Sequence, residues 1–253
     1  MAYIAAYHTD VGITKKTNQD SLAIKAVNTD FGQVIFAVVC DGMGGLEKGE
    51  LASKEVVTAF SAWFDTEIAK LVGASGIDKE LLYKQWESII RTQNKRIGDY
   101  GQKHGIMLGT TVTAILMHGT RYYTVHVGDS RIYKISNRVG MLTKDQTVVE
   151  REIDAGRLAP EQAEFDPRRS VLLQCVGASK TVVPDMAEGT VDKKSVYLVC
   201  SDGFRHQITD EELMEFERAD SEKAMRDVCV RLTELIKKRK ETDNISVIVI
   251  REI

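Results

Sequence analysis

Cysteine is scarce and scattered. Cys40, Cys175, Cys200 and Cys229 show no CxxC or other metal-binding spacing. Cys40 and Cys200 fall within apolar, strand-like runs, where a free thiol behaves as a small hydrophobe, so reduced thiols in a cytoplasmic protein are expected. The five histidines likewise make no zinc spacing. Neither charge sign dominates: the net charge of -3 gives no general reason to expect nucleic-acid or membrane binding. No segment approaches the ~18 apolar residues of a membrane span. The stretch Met1–His8 lacks the basic and apolar parts of a signal peptide. No repeat, low-complexity tract or composition shift marks a linker. What remains is an ordinary globular composition, 43% hydrophobic and 28% charged, read as one domain over residues 1–253 and as a monomer by default.

Hydrophobic periodicity then orders the chain. Strand-like runs at residues 2–7, 21–27 and 34–40 come first, the last two joined across Asn28-Thr29-Asp30-Phe31-Gly32 as a hairpin. From Glu50 to Leu71 the period becomes helical, with Val56, Val57, Phe60, Trp63, Phe64, Ile68 and Leu71 on one stripe. The sequence Gly73-Ala74-Ser75-Gly76 breaks that stripe. Asp78 then caps a second helix running to about Gly101, and the short link predicts antiparallel packing. Strands return at 110–117, 121–127 and 131–135, connected too tightly for parallel crossovers. The charged segment 152–169, with Pro160 and Pro167, reads as a flap. Strands at 182–189 and 195–201, a helix pair at 209–217 and 221–240, and a strand at 245–250 complete the chain. This order favours an α+β fold, a four-layer αββα sandwich of two antiparallel β-sheets flanked by antiparallel helix pairs.

Five aspartates recur beside these apolar runs. Asp20 follows Asn18-Gln19, and Asp41 ends residues 34–40 and opens Asp41-Gly42-Met43-Gly44-Gly45. Asp129 follows Val127-Gly128, Asp202 follows Cys200-Ser201, and Asp243-Asn244 precedes residues 245–250. A carboxylate at the end of a buried strand is costly to leave unpaired. Five of them suggest one convergent site neutralised by hard cations. Glycine after Asp41 lets the backbone turn sharply, so that Asp41 and the Gly42 carbonyl could offer oxygen ligands to adjacent ions. Oxygen-only ligation suits Mg²⁺ or Mn²⁺ rather than zinc. The alternative is a type I′ or II turn in which the acid only accepts backbone hydrogen bonds.

Taken together, seven stations resemble the metal-dependent serine/threonine protein phosphatases of the 2C type, in their bacterial form. They are Asn18-Gln19-Asp20, residues 41–45, Gly109-Thr110-Thr111, Val127-Gly128-Asp129-Ser130-Arg131, Leu142-Thr143-Lys144-Asp145, Cys200-Ser201-Asp202-Gly203 and Thr242-Asp243-Asn244-Ile245-Ser246-Val247. Each is weak alone, but seven in register, over about residues 3 to 250, are specific. The resemblance implies that Asp41 bridges two ions, with the Gly42 carbonyl on the second. Asp202 and Asp243 would complete the first ion's protein ligands, and Asp20 would hold metal-bound waters. Asp129 would join Asp202 at an optional third ion. It further implies hydrolysis of phosphoserine and phosphothreonine in proteins by a metal-activated bridging water, without a phosphoenzyme, in opposition to a Ser/Thr kinase.

The chain departs from that pattern at defined places. Lys15 stands where an arginine commonly clamps the substrate phosphate, and lysine lacks a planar bidentate fork. Met43 stands where eukaryotic relatives carry a histidine general acid, and a thioether donates no proton. Leu46 and Gln146 replace histidines of many bacterial relatives, and Gln19 replaces a glutamate. Of the histidines, only His206, four residues after Asp202, is expected near the site. Lys15, Met43 and Leu46 motivate a second reading, a low-turnover regulatory protein that binds phosphoproteins. A third reading is an enzyme acting on a small phosphate ester, for which the sequence offers no nucleotide or sugar pocket.

Overall fold

A computed structural model describes residues 2–44 and 48–253 of the chain. Gly45 and Leu46, two of the sequence's points of interest, lie outside the described residues. The strands β1 (Tyr3–Asp10), β2 (Ser21–Thr29), β3 (Gly32–Cys40) and β4 (Gly42–Gly44) precede helix α1 (Gly49–Leu71). A small hairpin of β5 (Val72–Gly73) and β6 (Gly76–Ile77) leads into α2 (Lys79–His104). Five strands follow: β7 (Leu108–Thr110), β8 (Val112–His118), β9 (Arg121–Val127), β10 (Arg131–Ile135) and β11 (Val139–Met141). Helix α3 (Val148–Asp154) and a 3-10 helix at Pro160–Phe165 carry the chain to β12 (Asp185–Thr190) and β13 (Val196–Cys200). Short helices α4 (Asp202–Arg205) and α5 (Asp210–Leu213), a 3-10 helix at Met214–Arg218, the long α6 (Glu222–Lys238) and β14 (Ile245–Glu252) end it.

Two five-stranded antiparallel sheets form the centre, one ordered β1-β14-β13-β10-β11 and the other β12-β9-β8-β3-β2. Residues 34–40 of β3 are all buried because that strand is covered on both faces. Ile35, Ala37 and Val39 meet Tyr197, Val199, Ile248 and Ile250 of the facing sheet. Val34, Phe36, Val38 and Cys40 meet α1 and α2 on the other face. Alternation along one strand therefore supplies two separate cores. Phe36 sits amid Phe60, Trp63, Phe64 and Trp86, with ring centroids 5.7–6.2 Å away. Both tryptophans are core, as their helical stripes indicate. The outer face of the other sheet is covered by α6 and the short helical segments before it, through Leu198, Val249, Phe204, Phe216, Met225 and Leu232.

The expected αββα sandwich is therefore present, with three differences of detail. Asp78 caps α2 by accepting the Leu81 N–H at 3.0 Å, but the helix continues past Gly101 to His104, where Gly105 ends it in the left-handed conformation. The strand expected from 182 begins only at Asp185, an edge strand paired with β9. The second helix pair is unequal. Thr209 opens α5 with a capping box to Glu212, yet after one turn the chain tightens into the 3-10 helix at 214–218, with only Leu213 and Phe216 buried. With so little apolar stripe to dock, a long helix has no support there. No helix among the described residues is long and apolar enough to cross a membrane.

Candidate metal centre

Antiparallel register brings the five aspartates to one end of the sandwich. Ser21 pairs with Cys40, so Asp20 and Asp41 flank the same end of the β2–β3 pair. Cys200 pairs with both Arg131 and Val247, which puts Asp202, Asp129 and the start of β14 at the corresponding end of the other sheet. Positions separated by more than two hundred residues thus converge by pairing alone.

The segment after Asp41 is a short strand, not a free turn: Gly42–Gly44 pairs with Leu108–Thr110. The Asp41 N–H donates to Thr111 Oγ1 at 2.9 Å, and its carbonyl accepts from the Thr110 hydroxyl and the Thr111 N–H, both at 2.9 Å. These bonds hold the backbone and leave the carboxylate to the site. Gly42 lies against Gly49 so closely that a Cβ on either would meet the other's carbonyl oxygen at 2.3–2.5 Å. Only glycines permit that crossing. Gly203 is under the same constraint, since a Cβ there would stand 2.1 Å from the Asn244 carbonyl oxygen. That contact draws the Asp202 turn against Asp243. Asn244 ties the arrangement from below: its side chain accepts the Gln19 N–H at 2.8 Å and donates to the Val11 carbonyl at 2.9 Å.

The electrostatics are those of crowded acids. Burial pushes Asp20 up to about 7; the Ser246 and Ser201 hydroxyls ease the charge, and Asp202 and Asp243 oppose it. Neither oxygen of Asp20, nor Oδ1 of Asp202, has a hydrogen-bond partner. Asp41 is raised well above the usual carboxylate range, first by burial and then by Asp20, Asp202, Asp129 and Asp243. Oxygens left buried and unpartnered, all of the hard carboxylate type, fit a divalent cation such as Mn²⁺ or Mg²⁺. Among the described residues no group of three or more His, Cys, Asp or Glu side chains is placed so that it could hold a metal ion as it stands. The acids are neighbours in charge before they are ligands in geometry.

The remaining sequence candidates take distinct places. Lys15 Nζ lies 3.1 Å from Asp243 Oδ1, an exposed ion pair at the rim of the site. Met43 lies in β4, half-buried. Gln146 has no hydrogen bond to the five aspartates among the described residues: its side chain accepts the Gly128 N–H at 3.0 Å and donates to Asp185 at 2.8 Å. His206 is 3.9 Å from Asp202 and 3.7 Å from Glu241, and burial lowers its pKa.

Asp129 differs from the other four. It is pushed up to about 8 by burial and by Asp202, but Arg205 and Arg131 act against the shift. Arg205 Nη2 stands 3.7 Å from Asp129 Oδ2 and 3.1 Å from Asp145 Oδ2. Arg131 holds Asp145 through two parallel bonds of 2.8 Å. Burial alone would raise Asp145, but the Arg131 fork and the charge of Arg205 hold it below the ordinary carboxylate range. Sequence reasoning assigned no role to Asp145, Arg131 or Arg205. The signal available was that Arg131 and Asp145 each close one of the seven stations. Beside this cluster a cavity of about 300 Å³ is bounded by Arg205 and His206 on one side and by Pro160, Ala163 and Arg169 of the flap segment on the other.

Comparison with known proteins points to one family. The family described as Protein phosphatase 2C matches residues 10–240. The serine/threonine protein phosphatase PstP of Mycobacterium tuberculosis is 30% identical over 247 residues, 96% of this chain but 44% of that protein. The chain therefore spans less than half the length of that curated relative. The solved serine/threonine phosphatase of S. agalactiae superimposes with a TM-score of 0.86 at 27% identity, covering 100% of both chains. The catalytic domain of PstP solved with two manganese ions gives a TM-score of 0.79 at 28% identity, over 98% of this chain and 97% of that one.

Proposed function

The chain belongs to the protein phosphatase 2C family, and from that premise we propose that it hydrolyses phosphoserine and phosphothreonine in proteins, without a phosphoenzyme, through Mn²⁺ or Mg²⁺. The observation that carries this reading is the end-on convergence of Asp20, Asp41, Asp202 and Asp243, with three of their buried oxygens unpartnered. When bound, a pair of divalent ions lowers the pKa of water held between them and offsets charge on the phosphoryl oxygens of an in-line displacement. Asp41 and the Gly42 carbonyl would hold that pair, with Asp202 and Asp243 beside them and Asp20 orienting water. Lys15, at the rim on Asp243, is placed to draw in the substrate phosphate as a point charge. The thioether of Met43 cannot protonate the leaving alkoxide, so that proton comes from water or from another residue.

The flap, residues 152–169, would choose among phosphoproteins placed by a cellular kinase, because Pro160, Ala163 and Arg169 bound the cavity next to the acids. Deleting part of it should change relative rates across several phosphoproteins, and unchanged ratios would remove that role. The central reading is tested with a phosphothreonine peptide and p-nitrophenyl phosphate in Mn²⁺, Mg²⁺ or chelator, beside Asp41→Ala. Turnover with either metal and its loss in the variant are expected. No turnover with both metals defeats the enzyme reading, and turnover surviving Asp41→Ala defeats the site assignment.

A further inference from the structure

We propose that Arg205 supplies the counter-charge of Asp129 from within the chain, so that this protein holds two divalent ions where the resemblance implies an optional third. The inference rests on the two-metal reading above. Asp129 is 4% exposed, and a buried carboxylate in that position needs a proton, a metal ion or an organic cation. Arg205 is the organic cation. It rises from the same short helix as Asp202, the other carboxylate that a third ion would need. Its Nε donates to the Asp129 main-chain carbonyl at 3.2 Å, and its Nη2 lies 3.7 Å from Asp129 Oδ2.

Arg205 is also anchored. The Nη2 group donates to Asp145 Oδ2 at 3.1 Å, and Asp145 is gripped by the Arg131 fork, whose Nη1 donates to the Tyr133 hydroxyl at 2.9 Å. Swinging Arg205 aside would take a hydrogen bond from a buried carboxylate and leave Asp129 without its neighbour. A divalent ion approaching Asp129 therefore meets a fixed positive group within ion-pair distance and a second guanidinium behind it. Like charge in a poorly solvated site disfavours the ion. Asp145 is then a positioning residue, acting through Arg205. The contrast with Asp41 and Asp20 is direct, since no arginine or lysine is paired with either among the described residues.

The test counts ions and needs no turnover. Chelator-stripped full-length chain is titrated with Mn²⁺ by calorimetry, and bound metal is measured after equilibrium dialysis. Two ions are expected on the unaltered chain and two on Asp129→Asn. Arg205→Gln should bind a third, weaker ion that the double variant Asp129→Asn, Arg205→Gln lacks. Three ions on the unaltered chain, falling to two in Asp129→Asn, overturns the inference and leaves the two-metal centre standing. A folded Arg205→Gln that still binds only two overturns it as well. No Mn²⁺ on the unaltered chain overturns the two-metal reading and the inference with it. If Arg205→Gln does not fold, the unaltered chain and Asp129→Asn decide alone.

Discussion

Two groups of buried acid lie side by side at the end of this sandwich, and they are neutralised in different ways. Around Asp129 and Asp145 the chain carries its own cations: Arg131 and Arg205 form a closed cluster with both carboxylates. Among the described residues no arginine or lysine is paired with Asp20, Asp41 or Asp202, and buried oxygens of Asp20 and Asp202 are left without partners. A cluster with internal counter-charge is complete once the chain folds. One without it is strained until protons or metal ions arrive. The first is architecture, and the second is the group that the proposed metal centre would use.

Four outcomes would break or sharpen that contrast. The largest is Asp41→Ala, for which turnover on a phosphopeptide should fall about 10³-fold or more, since bound ions supply several kcal/mol to such reactions. Its melting temperature in chelator should not fall, because the variant removes a repelled charge. Next is Asp145→Ala, which leaves two partly buried guanidiniums short of a partner. Breaking a buried pair costs about 3–5 kcal/mol, equivalent to a melting temperature lower by about 6–20 °C in a chain of this size. A change under a few degrees would mean the cluster is not internally closed.

The third concerns pH. Asp20 is raised to about 7, against about 3.9 for an unfolded aspartate. Between those values the folded chain holds a proton that the unfolded chain has released, so stability is lost as pH rises from about 4 to about 7. Chelated protein should melt lower at pH 8 than at pH 6. Saturating Mn²⁺ should flatten the slope, and Asp20→Asn should reduce it in chelator. A slope unaffected by Mn²⁺ would separate Asp20 from the metal centre. The smallest effect is expected at the rim, where Lys15→Arg should lower the Michaelis constant on a phosphopeptide on the order of threefold with little change in kcat, because a guanidinium fork grips phosphate better than a point charge. An unchanged constant would put Lys15 outside phosphate binding.

Much of this was legible in the residues. The unbroken apolar run of residues 34–40, the helical stripe through Phe60, Trp63 and Phe64, and the Asp78 cap all state locally what the chain does there. The unequal second helix pair was not legible, because Leu213 and Phe216 resemble a helical stripe until the structure shows that they alone of that segment are buried. Gln146 stands where many bacterial relatives of the resembling family have histidine, and the sequence did not show what it would touch. The fold turns it toward Asp185 and the Gly128 backbone.

The acids divide in the same manner. Their positions beside strand ends and glycines are written in the sequence, because local backbone chemistry requires them: Gly42 and Gly203 mark where chain segments cross too closely for a side chain. Which acid has a partner is a matter of tertiary structure. Arg131, Asp145 and Arg205 are 14 to 74 residues apart and carry no joint signal until antiparallel pairing sets β10 beside β13 and the turn after it. Charge type is a property of the residue, whereas neutralisation depends on distance. The fold alone decides distance, and so decides which carboxylates are complete in themselves and which are left for ions.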